Sequence, residues 1–426
     1  IFMLILFYKK DILYLTEGEL IMRRLERPDY LNWLIRQKDK QIIKVVTGVR
    51  RCGKSTIFEI YRDYLLAHGV QREQIIPINF EDLEYEELLD YRSLYKYVKE
   101  RLLPNKMNYI FLDEIQHVGQ YEKAVDSLFL KRNCDVYITG SNAYFMSGEL
   151  ATLLTGRYAK LEMMPLSFKE FCMGLTDTSD SLSLDDKFRL YIETGSFPYV
   201  LKYGYNAAEA REYMDGIYNT ILLNDVVRRL KIADVNMLES VARFLMHNIG
   251  NRTTPSAISN TMVSKQRKID PKTVDRYLRG LTDSLLFYGA RRYNIKGKEF
   301  LSTVNKYYSC DVALRNMLVR RKDSDAGHIL ENLVYLELRR RGYEVYIGQM
   351  GADGEVDFVA MKDSTLSYYQ IALTTLDEKI LKRELSLLQN IQDNYPKYLL
   401  TLDSLFGEMN YNGIQKKNVL QWMLQD

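Results

Sequence analysis

Between residues 28 and 165 the apolar positions follow two rhythms. Short continuous runs occupy 42–47, 75–80, 109–113, 135–139 and 158–163, and the stretches between them repeat apolar residues every three or four positions. A strand covered on both faces has no polar side, whereas a surface helix buries one stripe. The pattern therefore predicts a doubly wound parallel α/β sheet. Pro165-Leu166-Ser167-Phe168 ends it, and 167–245 is helical in period, broken by the turn Gly195-Ser196-Phe197-Pro198.

From 251 to 310 the order changes. Thr254-Pro255-Ser256 and Asp270-Pro271-Lys272 each place proline at a helix start. Two apolar-polar stretches follow, around 287–293 and 300–307, with Gly297 between them. Two helices and a ribbon outline a winged helix-turn-helix. Beyond about 326 the pattern predicts a helix (329–340), strands at 343–348, 355–361 and 367–372, a helix (377–392) and a strand (397–402), a small α/β unit.

Composition narrows the picture. A length of 426 residues suggests two or three domains. Lys+Arg is 59 against Asp+Glu 56, a net charge of +3, so any basic surface for nucleic acid must be local. Four cysteines without paired spacing exclude a disulfide framework or zinc site and point to a reducing, cytoplasmic setting. No run is long enough to span a membrane. Residues 1–21 stand apart. They begin at Ile1, and Glu17-Gly18-Glu19 back-translates to a purine-rich stretch just before Met22. They are expected to be a translated leader that is not native to the protein.

The chemistry begins after the first apolar run. Gly48, Val49, Arg50, Arg51, Cys52, Gly53, Lys54, Ser55 and Thr56 fit the phosphate-loop pattern G-x-x-x-x-G-K-S/T between a strand and a helix. Such a loop wraps phosphates with backbone N–H groups, a lysine and the positive end of a helix. Lys54 is expected to bridge the β- and γ-phosphates of ATP, and Ser55 to hold Mg2+. Asp113 and Glu114 end the run 109–113. Asp113 is expected to complete the Mg2+ shell, and Glu114 to polarise the attacking water. Asn142, ahead of Ser141, is the favoured polar contact to the γ-phosphate or water after 135–139. Arg157 is a candidate for stabilising transition-state charge, in its own site or a neighbour's. Cys52 is read as a small tolerated residue, and Arg50 and Arg51 as lining the phosphates or facing solvent.

Taken in order, the motifs at 48–56, 112–116 (Leu-Asp-Glu-Ile-Gln), 139–142 (Thr-Gly-Ser-Asn), 155–158 (Thr-Gly-Arg-Tyr), 165–171 (Pro-Leu-Ser-Phe-Lys-Glu-Phe) and 222–229 (Leu-Leu-Asn-Asp-Val-Val-Arg-Arg) carry a resemblance. Over roughly 22–405 the chain resembles prokaryotic AAA-type P-loop ATPases with a C-terminal domain of unknown function. The expected division is a P-loop core (22–165), a helical region (166–245), a winged helix (246–322) and a restriction-endonuclease-like α/β domain (323–426).

The resemblance implies a nuclease-type site of Glu331, Asp357 and Gln370. Ala372 stands where such a site needs lysine, so the domain is expected to be inactive unless Lys362 or Lys379 substitutes. Lys272, Arg276 and Arg279 share one helix face and are candidates for DNA contact. The expected function is an ATP-binding switch with ATP and ADP as its partners, reset by slow Mg2+-dependent hydrolysis. Its C-terminal half engages DNA or a protein partner, and self-association would let a neighbour's arginine complete the site. The alternatives are an ATP-licensed nuclease and a non-hydrolysing ATP-binding protein.

Overall fold

The computed structural model describes residues 24–141, 156–175, 182–203, 206–264, 266–319, 323–351, 354–405 and 407–425. The expected leader lies outside these residues, and so does Asn142.

The first sheet contains β1 (Ile43–Thr47), β2 (Ile75–Asn79), β3 (Asn108–Asp113), β4 (Cys134–Gly140) and β5 (Tyr158–Glu162). Its order is β2-β3-β4-β1-β5, and every neighbouring pair is parallel. The three inner strands are buried at every position, while edge strand β2 alternates. That is why the inner three read as unbroken apolar runs. One face packs Ile43, Val45, Ile110, Leu112, Val136 and Ile138 against helices 91–101 and 121–129. The other face enters the large core shared with the helices that follow. Thr47 pairs with Gly140 and Asn79 with Asp113, so the carboxyl ends of the strands line up along one rim. Ligands of open α/β sheets bind at such a rim.

Strand β4 lies between β1 and β3, so it separates the phosphate-loop strand from the acidic strand. Thr139 on β4 and Ser141 just after it present hydroxyls at the same rim.

Helices Leu184–Thr194, Ala207–Thr220 and Val235–His247 follow, with a π-helical stretch at Ile221–Arg228. The predicted helix pair is Pro255–Ser264 and Pro271–Asp283. The ribbon is β7 (Phe287–Asn294) and β8 (Glu299–Ser309), with β6 (Arg252–Thr253) on its edge. After the helix Ala326–Arg340 come β9 (Glu344–Met350), β10 (Gly354–Lys362), β11 (Thr365–Ala372), the helix Glu378–Gln389 and β12 (Lys397–Thr401). Strands β13 (Met409–Tyr411) and β14 (Ile414–Asn418) close the chain with a short helix.

The ribbon is not a free wing. β7 pairs in parallel with β9 through Arg292–Ile347, Tyr293–Gly348 and Asn294–Gln349. All nine strands form one sheet, β13-β14-β12-β11-β10-β9-β7-β8-β6. No break in pairing marks the boundary expected at 322/323.

Candidate functional site

The loop after β1 is shaped by residues that tolerate unusual backbone. A Cβ on Gly48 would lie 2.2 Å from the Met163 carbonyl oxygen, so only glycine fits. Arg51 (φ 69°) and Gly53 (φ 103°) are both left-handed and curl the chain, the backbone form from which anion-binding concavities are built. Gly53 then caps the helix Lys54–Ala67. Cys52 is buried and donates from Sγ to Met163 O at 3.3 Å. Burial pushes its thiol pKa up, so Cys52 packs as a small apolar residue.

Lys54, the first residue of that helix, is 4% exposed. Its ammonium donates to Gly48 O at 3.1 Å and Val49 O at 3.4 Å, and lies 3.2 Å from Glu114 Oε1. Glu114 adopts a left-handed backbone (φ 53°), which is costly for a residue with a Cβ. Thr139 on β4 supports it by accepting the Glu114 N–H at 2.8 Å, and its hydroxyl donates to Asp113 Oδ1. Ser141 donates to the Glu114 carboxylate, as does Gln116 Nε2 at 2.5 Å. Burial pushes the Glu114 pKa up, but the Lys54 ammonium, these donors and Arg50 outweigh it and hold the group at about 2. Burial dominates at Asp113 and raises it, against hydrogen bonds from Ser55 and Thr139. The structure thus brings Lys54, Ser55, Asp113 and Glu114 together at the carboxyl rim.

Sequence reasoning gave no role to the Thr139 hydroxyl and ranked Ser141 second to Asn142. Thr139 links both acids, and Ser141 touches Glu114, the side from which a γ-phosphate contact was expected of Asn142. Both stand in Thr-Gly-Ser-Asn, where the signal was present but ambiguous between turn chemistry and catalysis.

Arg50 reaches Glu81 Oε1 at 2.6 Å and both oxygens of Asp225 at 3.3 Å. Asp225 is a buried acid on the π-helical stretch, and it explains the Leu-Leu-Asn-Asp-Val-Val-Arg-Arg motif. Arg229, in the same motif, pairs with Asp283 at 3.0 Å and so joins this stretch to the helix Pro271–Asp283. Glu81, Glu114 and His117 bring one ligand atom each within 4.8 Å of one another, but Arg50 already engages Glu81.

Arg157 is not brought to this site. Its carbonyl accepts from Ile43 N at the start of β1, and its guanidinium pairs with Asp126 and covers the Phe129 ring. The loop begins at the other end of β1, about 13 Å away at the usual rise per strand residue. In its own chain Arg157 faces the opposite rim.

Behind the loop sits a brace that sequence reading did not find. Arg27 is 4% exposed. It donates to both oxygens of Glu170 (2.8 and 2.9 Å), to Cys52 O (2.9 Å) and to Met164 O (2.8 Å). Ser167 and Glu170 form a capping box, and Arg340 donates to the carbonyls of Pro165 and Leu166. The Pro-Leu-Ser-Phe-Lys-Glu-Phe motif therefore ties the phosphate loop to the C-terminal half. Removing one partner of a buried, fully bonded ion pair costs about 3–5 kcal/mol. Arg27→Ala and Glu170→Ala are each expected to lose stability on that scale in denaturant unfolding. A double variant losing no more than either single would mark the shared pair.

In the C-terminal half, Glu331 and Asp357 lie near one another, but the lysine beside them comes from β8. Lys306 Nζ is 3.0 Å from Glu331 Oε1 and 2.7 Å from Glu355 Oε1. Tyr308 OH donates to Glu331 at 2.6 Å. Burial, then the Glu331 charge, pushes the Asp357 pKa well up, and Asp357 Oδ2 accepts from Ile371 N at 2.8 Å. Gln370 Oε1 accepts from Asp357 N at 3.3 Å, and its amide donates to Glu384 at 2.9 Å. Of the two expected substitutes, Lys362 donates to Arg341 O at 2.7 Å, away from this group, and Lys379 is not among its partners. Lys272, Arg276 and Arg279 are exposed on one helix, as expected. Arg276 donates to Leu230 O, and Arg279 pairs with Asp275 at 2.7 Å.

Comparison with known proteins places this geometry. Residues 40–172 match the family described as "AAA domain", and residues 185–325 match a domain of unknown function. The domain of unknown function follows the core, as expected, and takes in the helical region, the helix pair and the ribbon. An uncharacterised protein of Haemophilus influenzae is 38% identical over 94% of this chain and 99% of its own length. An uncharacterised protein of Methanocaldococcus jannaschii is 31% identical over 71% of this chain and 67% of its own length. Among solved structures, a Walker-type ATPase of Pyrococcus abyssi covers 69% of this chain and 96% of itself at 15% identity, with a TM-score of 0.48. The Aeropyrum pernix ORC2 protein covers 70% and 95% at 12% identity, with a TM-score of 0.39. None of the described helices is long and apolar enough to cross a membrane. With its phosphate loop and acidic strand inside the matched AAA domain, and a relative 38% identical from end to end, the chain belongs to the AAA-type P-loop ATPase family that carries a domain of unknown function after its core.

Proposed function

We propose that this chain is an ATP-driven switch that binds ATP with Mg2+, hydrolyses it slowly and passes the nucleotide state to its C-terminal half. The observation that carries the reading is the buried Lys54 ammonium at a helix N-terminus, 3.2 Å from Glu114 and beside Asp113. The donor set fits a magnesium triphosphate: a glycine-walled loop, an ammonium, and a hydroxyl bonded to a carboxylate. Ser55 and Asp113 would hold Mg2+, which supplies positive charge against the phosphate oxygens. Lys54 would exchange Glu114 for phosphate. Freed of its strongest opposing charge, Glu114 would rise in basicity and orient water through the carboxylate that Ser141 and Gln116 hold in place.

The tie from Arg50 through Asp225 and Arg229 to Asp283 supports transmission to the helix pair, and Arg340 on Pro165 and Leu166 supports transmission to the last domain. The partner of that half is a protein or DNA, the latter through Lys272, Arg276 and Arg279. We read the Glu331, Glu355, Asp357 and Lys306 group as an inactive relic, because Lys306 already neutralises the carboxylates that would hold a cation.

One reaction tests these readings together: Mg2+, ATP and supercoiled plasmid, followed for phosphate and for DNA form. Phosphate release with intact plasmid is expected. Cleavage that disappears in Asp357→Ala would restore the nuclease reading, and no release with or without DNA would favour the non-hydrolysing one.

A further inference from the structure

We infer that Arg50 is the cation this chain supplies, in its own site, to the terminal phosphate of ATP, and that Asp225 positions it. The inference rests on the ATP reading above and deepens it. Arg50 is the third residue of the loop, so its backbone is already part of the phosphate cradle and no second copy is needed to deliver it. Its charge reaches the carboxylate that Lys54 also engages, since Arg50 is among the groups holding Glu114 ionised. Lys54 contacts that carboxylate directly, and Arg50 is bonded to Glu81, whose carboxylate lies within 4.8 Å of that of Glu114. Arg157, the guanidinium expected for this task, faces the other rim.

Three contacts orient Arg50 and leave two of its five N–H donors over: a 2.6 Å bond to Glu81, a half-exposed carboxylate that water can serve instead, and two bonds to Asp225 at 3.3 Å, beyond the usual range for N–H···O bonds. A planar guanidinium matches two phosphate oxygens better than two strained carboxylate contacts, so the phosphate competes well for it. Asp225 belongs to a π-helical stretch, a form that is rare and recurs at functional sites. It is buried, and the group opposing the effect of that burial most is Arg50. Asp225 lies 175 residues from Arg50 in sequence, so the helical region contributes directly to the phosphate site.

ATP and ADP differ by the group Arg50 would touch, which defines the experiment. Affinities for Mg-ATP and Mg-ADP, with turnover, are measured for the parent, Arg50→Ala, Arg50→Lys, Asp225→Asn and the double variant Arg50→Ala/Asp225→Asn. Arg50→Ala is expected to weaken ATP about tenfold or more and leave ADP nearly unchanged, as loss of a charge-assisted bond requires. Turnover is expected to fall about 10³-fold, as when a phosphate-directed arginine is removed. Arg50→Lys, folded and charged but without the fork, is expected to recover affinity more than turnover. Asp225→Asn is expected to slow turnover alone and to add nothing in the Arg50→Ala background. Equal weakening of ATP and ADP, or unchanged turnover in both Arg50 variants, would overturn the role of Arg50. An undiminished Asp225→Asn effect without Arg50 would overturn the positioning role. A parent that binds neither nucleotide would overturn the ATP reading itself, a result distinct from all of these.

Discussion

Replacing Glu114 with glutamine is expected to cut phosphate release by about 10²–10⁴-fold while ATP remains bound. Glutamine has the same size and keeps an acceptor for Ser141. It lacks the charge that draws Lys54 to 3.2 Å and that orients water. Lys54 is 4% exposed, so without the Glu114 charge its ammonium is left in a low-dielectric pocket with two backbone carbonyls and the more distant charge of Asp113. The variant should therefore melt below the parent when nucleotide is absent, and ATP should restore more of its stability than it adds to the parent. Both measurements can be made on one preparation. Release at the parent rate, or loss of ATP binding together with hydrolysis, would remove Glu114 from the role proposed for it.

The parts of the fold legible in the sequence were those fixed by local pattern. β1, β3 and β4 are buried on both sides and read as apolar runs, and the loop carries its glycines at fixed spacing. Lys54, Asp113 and Glu114 were found because a phosphate site needs these residue types at strand ends. Contacts between distant segments were not legible. Arg27 meets Glu170 across 143 positions, and Arg50 meets Asp225 across 175. Nothing in the periodicity of either segment specifies its partner. A faint signal existed at Asp225, an acid within the apolar stretch 221–227, where an unpaired carboxylate would be costly to bury. Lys306 escaped notice for a similar reason. The reading sought a lysine on the strands of the last domain, whereas β8 belongs to the ribbon and enters the same sheet through the pairing of β7 with β9. Arg157 was misplaced in its own chain because Thr-Gly-Arg-Tyr precedes a parallel strand. Residues before a parallel strand lie at the rim opposite the one where phosphate loops open.

Lys54→Ala carries the other large expected effect and bears most directly on whether this is a nucleotide site. The ammonium is the sole lysine charge in the loop, and no other lysine stands between 45 and 95 in the sequence. Titration of Mg-ATP into the parent and into Lys54→Ala, by calorimetry with folding checked by circular dichroism, isolates its contribution. Saturable binding to the parent and weakening by about 10²-fold or more in a folded variant is the expected result. Equal affinity in both proteins would contradict a phosphate site built around Lys54.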